Sequence, residues 1–256
     1  MTTTDRSGQR HESARVRDAL LVALTIASGA VDALSWLGLG KVFSVFMTGN
    51  LVFLGLGAGG AAGPSVPRVL AAVAAFALGA ALAARLVRRT QDDHEVWPRR
   101  VTFALAAALM AQAAFAGVWA AVGGLPSTAA GDLLVALSAL AMGMQTTAVF
   151  SLGVRAVFTT AATATLAIFM GDLSGWSQSK GERRRLSAVI AGLFAGAVAG
   201  AALMVHARSW APVFPLALTA LVVAVAARVF QTSKSPGRSP ARDSAVAPLL
   251  GGTKGS

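Results

Sequence analysis

The chain has 256 residues, 55% hydrophobic and 13% charged, with a mean hydropathy of +0.65, and a soluble domain of this size needs more charge than that to cover its surface. The net charge of +11 comes without the basic–aromatic interleaving of a nucleic-acid site, so the lipid bilayer, not nucleic acid, is the expected partner. Cysteine is absent, which excludes disulfides, zinc thiolates and thiol nucleophiles.

The apolar residues fall into runs of about twenty, the length of a helix that crosses a hydrocarbon core of roughly 30 Å. The chain therefore reads as all-α, a polytopic transmembrane helical bundle. Residues 1–17 form a basic tail, expected to be disordered. The first apolar run, about 19–40, is too long for the h-region of a signal peptide and reads as an uncleaved span. It carries Asp32 in SGAVDALSWLGLG. An ionised Asp at a helix centre costs about 2.5–3.5 kcal/mol, so it is expected to face the bundle interior or water. Such a carboxylate either binds a proton or cation, or fastens one helix to another by hydrogen bonds.

The second run, VFSVFMTGNLVFLGLG over 42–57, holds Thr48, Gly49 and Asn50 in its middle. Gly permits a sharp turn, and Thr and Asn can satisfy backbone groups that a broken helix exposes, so this tripeptide is the expected turning point of a segment that dips into the membrane and returns. The alternative is an ordinary spanning helix with a glycine kink. The third and fourth runs cover about 69–87 and 101–122, separated by Arg88, Arg89, Arg99 and Arg100. No basic residue lies between the fourth and the fifth, about 133–152, which carries Gln145, Thr146 and Thr147. The sixth, about 157–170, contains Thr163 and Thr165 and is short. After Lys180 and Arg183–Arg185 comes the seventh, about 186–205, whose Gly192, Gly196 and Gly200 lie four apart and read as a helix-packing stripe. The eighth covers about 213–229, and residues 232–256 form a second tail, also expected to be disordered. Trp36, Trp119 and Trp210 at one set of ends, and Trp97 and Trp176 at the other, read as interfacial anchors.

The two halves resemble each other. At an offset of 115 residues Val42-Phe43 recurs as Val157-Phe158, Thr48 as Thr163 and Leu51 as Leu166. The repeats are expected to cover 18–125 and 126–231, with Gln145–Thr147 falling on Ala30–Asp32 and the polar groups of both halves converging near the midplane. If all eight runs crossed, one arginine-rich loop would lie outside and the charge-free loop inside. If the second and sixth dip and return, every basic cluster and both tails fall on the cytoplasmic side. The expected architecture is therefore six spanning helices plus two short or broken, re-entrant segments, in two halves of inverted topology.

SGAVDALSWL with VFSVFMTGN, and AMGMQTTAVFSLGVRAVFTT in the second half, resemble the YoaK-like family of bacterial membrane proteins (domain of unknown function 1275). The similarity runs from about Leu20 to Val229 and rests on Gly29, Asp32, Thr48-Gly49-Asn50, Gly143, Gln145, Thr159 and Thr160. It implies a bacterial inner-membrane protein of about six helices with no assigned activity. The family commonly has Thr-Gly where this chain has Thr163-Ala164.

No HExxH, GxSxG or phosphate-loop signature is present, so no enzyme activity, catalytic residue, metal or cofactor is expected. The leading functional expectation is a multi-pass permease or channel-like carrier of a small solute or ion, with both termini cytoplasmic. Its candidate ligand-binding residues are Asp32, Thr48, Gly49, Asn50, Gln145, Thr146, Thr147, Thr163 and Thr165. The alternative is a non-transporting scaffold or partner subunit in which the buried polar groups only lock helices together.

Overall fold

The computed structural model describes residues 3–88, 96–154, 170–171 and 180–231. All regular secondary structure among them is helical: α1 (Thr3–Gly38), α2 (Met47–Ala58), α3 (Val66–Val87), α4 (Arg99–Ala121), α5 (Thr128–Phe150), α6 (Lys180–His206), a 3₁₀ turn (Arg208–Trp210) and α7 (Val213–Gln231). Six of these helices are long and apolar enough to cross a membrane, and Met47–Ala58 is the shorter apolar one. At 12 residues and 1.5 Å per residue, α2 is about 18 Å long and does not reach across. The helix α1 begins at Thr3, so the segment expected to be disordered continues the first span; extending an established helix avoids the cost of a new nucleus. The expected second tail, and the sixth apolar run with Thr163 and Thr165, lie outside the described residues.

Local chemistry sets the breaks between helices. Beyond Gly38 the chain leaves helical geometry through Gly40 and Lys41, whose φ angles of 86° and 61° are left-handed. Gly123 and Gly124, at 62° and 75°, close the charge-free turn between α4 and α5. Ser127 then caps α5 by accepting a hydrogen bond from the Ala130 amide.

Two apolar clusters give the direction of every span. One joins the start of α1 (Leu20, Leu24), the end of α3 (Ala83, Val87), the start of α4 (Val101, Leu105), the end of α5 (Met144, Val149), the start of α6 (Val189) and the end of α7 (Val222, Ala226). The other joins the opposite ends: Leu34 and Leu39 of α1 and its exit, Val69 and Ala72 of α3, Phe115 and Trp119 of α4, Leu134 and Val135 of α5, and Met204 of α6. The helices therefore alternate in direction as six crossings, with α1, α4 and α6 running one way and α3, α5 and α7 the other. At the first end sit Arg85, Arg88, Arg99, Arg100, Arg183, Arg184, Arg185 and Arg228; we call it the basic face. The far face has Lys41, Arg68 and Arg208.

The packing of the halves is matched. The most extensive helix contacts are α1 with α6 and α3 with α5. In the first pair, a Cβ on Gly29 would meet the Leu193 carbonyl and the Ala197 amide, and one on Gly196 the Ile26 carbonyl. In the second, a Cβ on Gly143 would meet the Phe76 carbonyl and the Ala80 amide, and one on Gly79 the Leu140 carbonyl. Gly29 maps to Gly143 and Ile26 to Leu140 by 114 residues, while Phe76 maps to Leu193 and Gly79 to Gly196 by 117. Ion pairs repeat the rule. Arg68 Nε lies 2.6 Å from Asp132 Oδ1 at the far face, and Arg185 Nη1 lies 3.7 Å from Asp18 Oδ2 at the basic face. Each element of one pair sits at the opposite membrane face from its counterpart, which is the geometry of an inverted repeat. The offset of 115 read from the second and sixth apolar runs does not carry over to α5, where the glycine contacts give 114; Asp32 corresponds to Thr146, not Thr147.

The glycine stripe on α6 serves this intramolecular contact: a Cβ on Gly200 would come within 2.7 Å of the Ala30 carbonyl oxygen, and one on Gly192 within 3.4 Å of Val22 and Ile26 side-chain carbons. Two of the tryptophans expected at the interface are instead core residues. Trp119 is fully buried, with its indole N–H on the Arg208 carbonyl at 2.9 Å, and buried Trp97 donates to Thr102 at 3.0 Å and stacks on Phe230. Trp210 is exposed, as an anchor would be. Gly196→Ala and Gly79→Ala are expected to lower stability by about 1–3 kcal/mol by forcing tight helix pairs apart. Gly55→Ala, with nothing within 4 Å of the added carbon, is expected to be neutral or stabilising. Thermal unfolding in detergent measures all three.

Candidate functional site

The residues after α1 return into the bundle along the helix they have just left. Asp32 lies six residues, about 9 Å, before the end of α1. Its Oδ1 accepts hydrogen bonds from the amides of Ser44 at 2.9 Å and Val45 at 2.8 Å, and its Oδ2 from the amide of Phe46 at 3.1 Å. These three N–H groups immediately precede α2, whose N-cap residue Phe46 makes no side-chain cap. A carboxylate from a neighbouring helix thus takes the place of a local cap, at the end of α2 where the helix dipole is positive. The far end of α2 comes back to the start of α3, where a Cβ on Gly57 would touch the Val66 side chain. The segment enters and leaves on the same face.

Asn50 completes the turn. It is fully buried, accepts from the Phe43 amide at 3.0 Å through Oδ1, and donates to the Phe43 carbonyl at 2.7 Å through Nδ2. One side-chain amide therefore satisfies both backbone groups of a residue that lies outside any helix. Ser35 and Ser44 share a buried hydroxyl contact at 2.6 Å, a second link between α1 and the turn. Gly49 lies under the rings: a Cβ there would come within 2.6 Å of Phe46 and 3.1 Å of Phe43.

Around the exposed edge of Asp32 the turn builds an aromatic wall. Trp36 stacks on Phe43 with centroids 5.0 Å apart, and Phe43 meets Phe46 edge-on at 5.3 Å. Facing it across a cavity of about 490 Å³ are Leu193, Ala197 and Ala201 of α6. Asp32, Ala33, Leu37 and Val45 complete most of the lining. The cavity thus combines one carboxylate with apolar and aromatic surface.

Two of the candidate residues read from the sequence meet at this turn. Asp32 and Asn50 meet the same turn, but the turning point is 42–46, upstream of Thr48-Gly49-Asn50, which form the first turn of α2. The chain reverses where Asp32 can reach its amides, and Gly49 provides clearance for the rings instead of the bend. Thr48 is exposed and plays no visible part in the turn. Gln145 is directed elsewhere: its Nε2 donates to Ser28 Oγ at 3.0 Å and lies 3.4 Å from the Leu24 carbonyl. Thr146 is buried and Thr147 half-buried on α5, and no hydrogen bond among the described residues links this trio to Asp32 or Asn50. Thr163 and Thr165, the other members of the expected convergence at the midplane, lie outside the described residues. Trp36, Phe43 and Phe46 were missed as site residues. The i, i+4 spacing of Asp32 and Trp36, which puts both on one face of α1, was the available signal.

The model of the family described as "Protein of unknown function (DUF1275)" matches residues 20–225. The chain belongs to this family. Over 163 residues it is 35% identical to the UPF0700 transmembrane protein YoaK of Bacillus subtilis (strain 168), an alignment that covers 64% of this chain and 70% of that protein. No solved structure matches. As a DUF1275 protein with six apolar helices of spanning length, it is a multi-pass membrane protein.

Removing Asp32 oxygens leaves three amides without acceptors, and each unsatisfied buried group costs about 1–3 kcal/mol. Asp32→Ala is expected to raise hydrogen exchange at Ser44, Val45 and Phe46 by at least tenfold, while Asp32→Asn, which keeps one acceptor oxygen, raises it less. Asn50→Ala is expected to expose the Phe43 amide in the same way. Exchange rates unchanged in all three variants would show that these side chains do not hold the turn.

Proposed function

We propose that this DUF1275 protein is a permease or channel-like carrier that binds its solute at Asp32. The observation that carries the reading is the half-buried carboxylate at a break in the chain, opening on a cavity of about 490 Å³ between α1, the turn and α6. A polar helix lock needs no cavity, whereas broken segments at the junction of inverted repeats are where carriers place their ligands. Cavities of roughly 300–1,000 Å³ suit small organic molecules. In this reading the basic face is cytoplasmic, in a bacterial inner membrane, since lysine and arginine accumulate on that side. Thr48, Gln145, Thr146 and Thr147 are not assigned to the ligand.

A scaffold function is the second reading, favoured by the three amides already bound to Asp32 and by the closed bonding of Asn50. Proteoliposome flux separates the two. The carrier reading predicts uptake of at least one small solute that falls at least tenfold in Asp32→Asn; an intact, correctly inserted protein that moves none of a broad panel of small cations and neutral solutes supports the scaffold. For orientation, single cysteines in this cysteine-free chain at Ala62 and at Gln91 are expected to be labelled from outside and from inside the cell, respectively. The reverse pattern would overturn the assignment of the faces.

A further inference from the structure

We infer that the ligand of the Asp32 cavity is an organic ammonium ion, a cationic nitrogen bearing a compact hydrocarbon body. The inference rests on the reading of this cavity as a solute site and names the class of solute. The lining has a single ionisable group, the carboxyl of Asp32, and no cationic side chain, so it offers nothing to an anion. A carboxylate has about four acceptor positions. Three are taken by Ser44, Val45 and Phe46, two of them on Oδ1, which leaves Oδ2 able to accept from one more donor.

A bare metal ion needs several oxygens at once, and here the other lining side chains are hydrocarbon or aromatic. Among the described residues no group of three His, Asp or Glu gathers at any point. A sugar or other neutral polyol would lose its hydrogen bonds to water against Leu37, Val45, Leu193, Ala197 and Ala201. An ammonium ion matches each feature. One N–H meets Oδ2, the positive charge lies against the electron-rich rings of Trp36 and Phe43, and the carbon chain fills the space left by the two alanines of α6. The volume of about 490 Å³ is ample for such a body and far larger than an inorganic ion requires.

Titration calorimetry of the purified full-length protein in non-ionic detergent tests the assignment, with n-propylammonium, n-butylammonium, tetraethylammonium, sodium, n-butanol and sucrose as probes. Saturable binding of the two primary ammonium ions is expected, with affinity rising about fourfold from propyl to butyl as one more methylene is buried, and weaker binding of tetraethylammonium, which has no N–H to donate to Oδ2. Asp32→Asn is expected to weaken it at least tenfold. Because that variant also loosens the turn, Ala201→Phe provides the independent check: it narrows the cavity from the α6 side, away from the residues that hold the turn, and is expected to weaken ammonium binding in a protein whose unfolding midpoint is unchanged. Butanol binding as tightly as butylammonium, or ammonium binding unchanged by Ala201→Phe, overturns the inference. Saturable, Asp32-dependent binding of sodium or sucrose alone overturns the ligand class and leaves the carrier reading standing. Ammonium binding to a protein that moves no ammonium ion in proteoliposomes upholds the site and overturns the carrier reading.

Discussion

Inside a bilayer there is no water to rescue a backbone that leaves helical geometry, so every such departure must bring its own hydrogen-bond partners. Here two side chains supply them. Asp32, on α1, collects three consecutive amides, and Asn50, in the first turn of α2, binds the amide and carbonyl of Phe43. Without them the chain from Ser44 to Phe46 would leave its amides unsatisfied beside hydrocarbon. With them the chain turns back after α1 has crossed, α2 starts within the bundle, and the next crossing begins on the face where α1 ended. The orientation of the later spans depends on that reversal.

The carboxylate that holds the turn is also the charge that faces the cavity, and this joins structure to the proposed function. A cation at Oδ2 draws on the same negative charge that binds the Phe46 amide. Ligand binding and the grip on the turn are therefore linked by one group, and a shift at one is felt at the other. The matched helix pairs provide the surrounding frame. The contact of α1 with α6 and that of α3 with α5 use the same glycine-to-carbonyl seats, and each carries an Asp–Arg pair near one membrane face. Within this symmetric frame, among the described residues, the carboxylate is not repeated: Asp32 has Thr146 as its counterpart, and Gln145 beside it bonds to α1.

Much of the architecture is legible in the amino-acid pattern because membrane insertion is governed by simple quantities. Run length marks the spans, arginines and lysines mark one face, and a 16-residue run from Val42 to Gly57 with polar residues at its centre marks a segment that does not cross. The details of the site are less visible. That Asp32 caps a neighbouring segment depends on a contact across 12 to 14 residues, which no local spacing encodes. Gln145 looks like a ligand group in a linear reading because a buried amide is costly, yet its Nε2 is taken up by Ser28 and the Leu24 carbonyl on another helix, while its Oε1 has no partner among the described residues. Register between the halves differs by one residue at α5 because the offset of 115 comes from identities in the second and sixth runs, and the spacing between elements is not the same in both halves; the glycines in carbonyl contact define it. Trp119 and Trp97 sit near helix ends in sequence, as interfacial anchors do, but shape and hydrogen bonding draw both into the core.

The central claim is that the chain reverses direction within the membrane at the turn held by Asp32. Depth profiling by electron paramagnetic resonance tests it directly, with single spin labels placed along residues 42–58 of protein in liposomes and relaxation by oxygen compared with that by a water-soluble nickel complex. The depth is expected to increase to a maximum near Phe46 and Met47 and then to decline toward the same surface at Ala58. A depth that passes through the bilayer centre and emerges steadily at the opposite surface would contradict it.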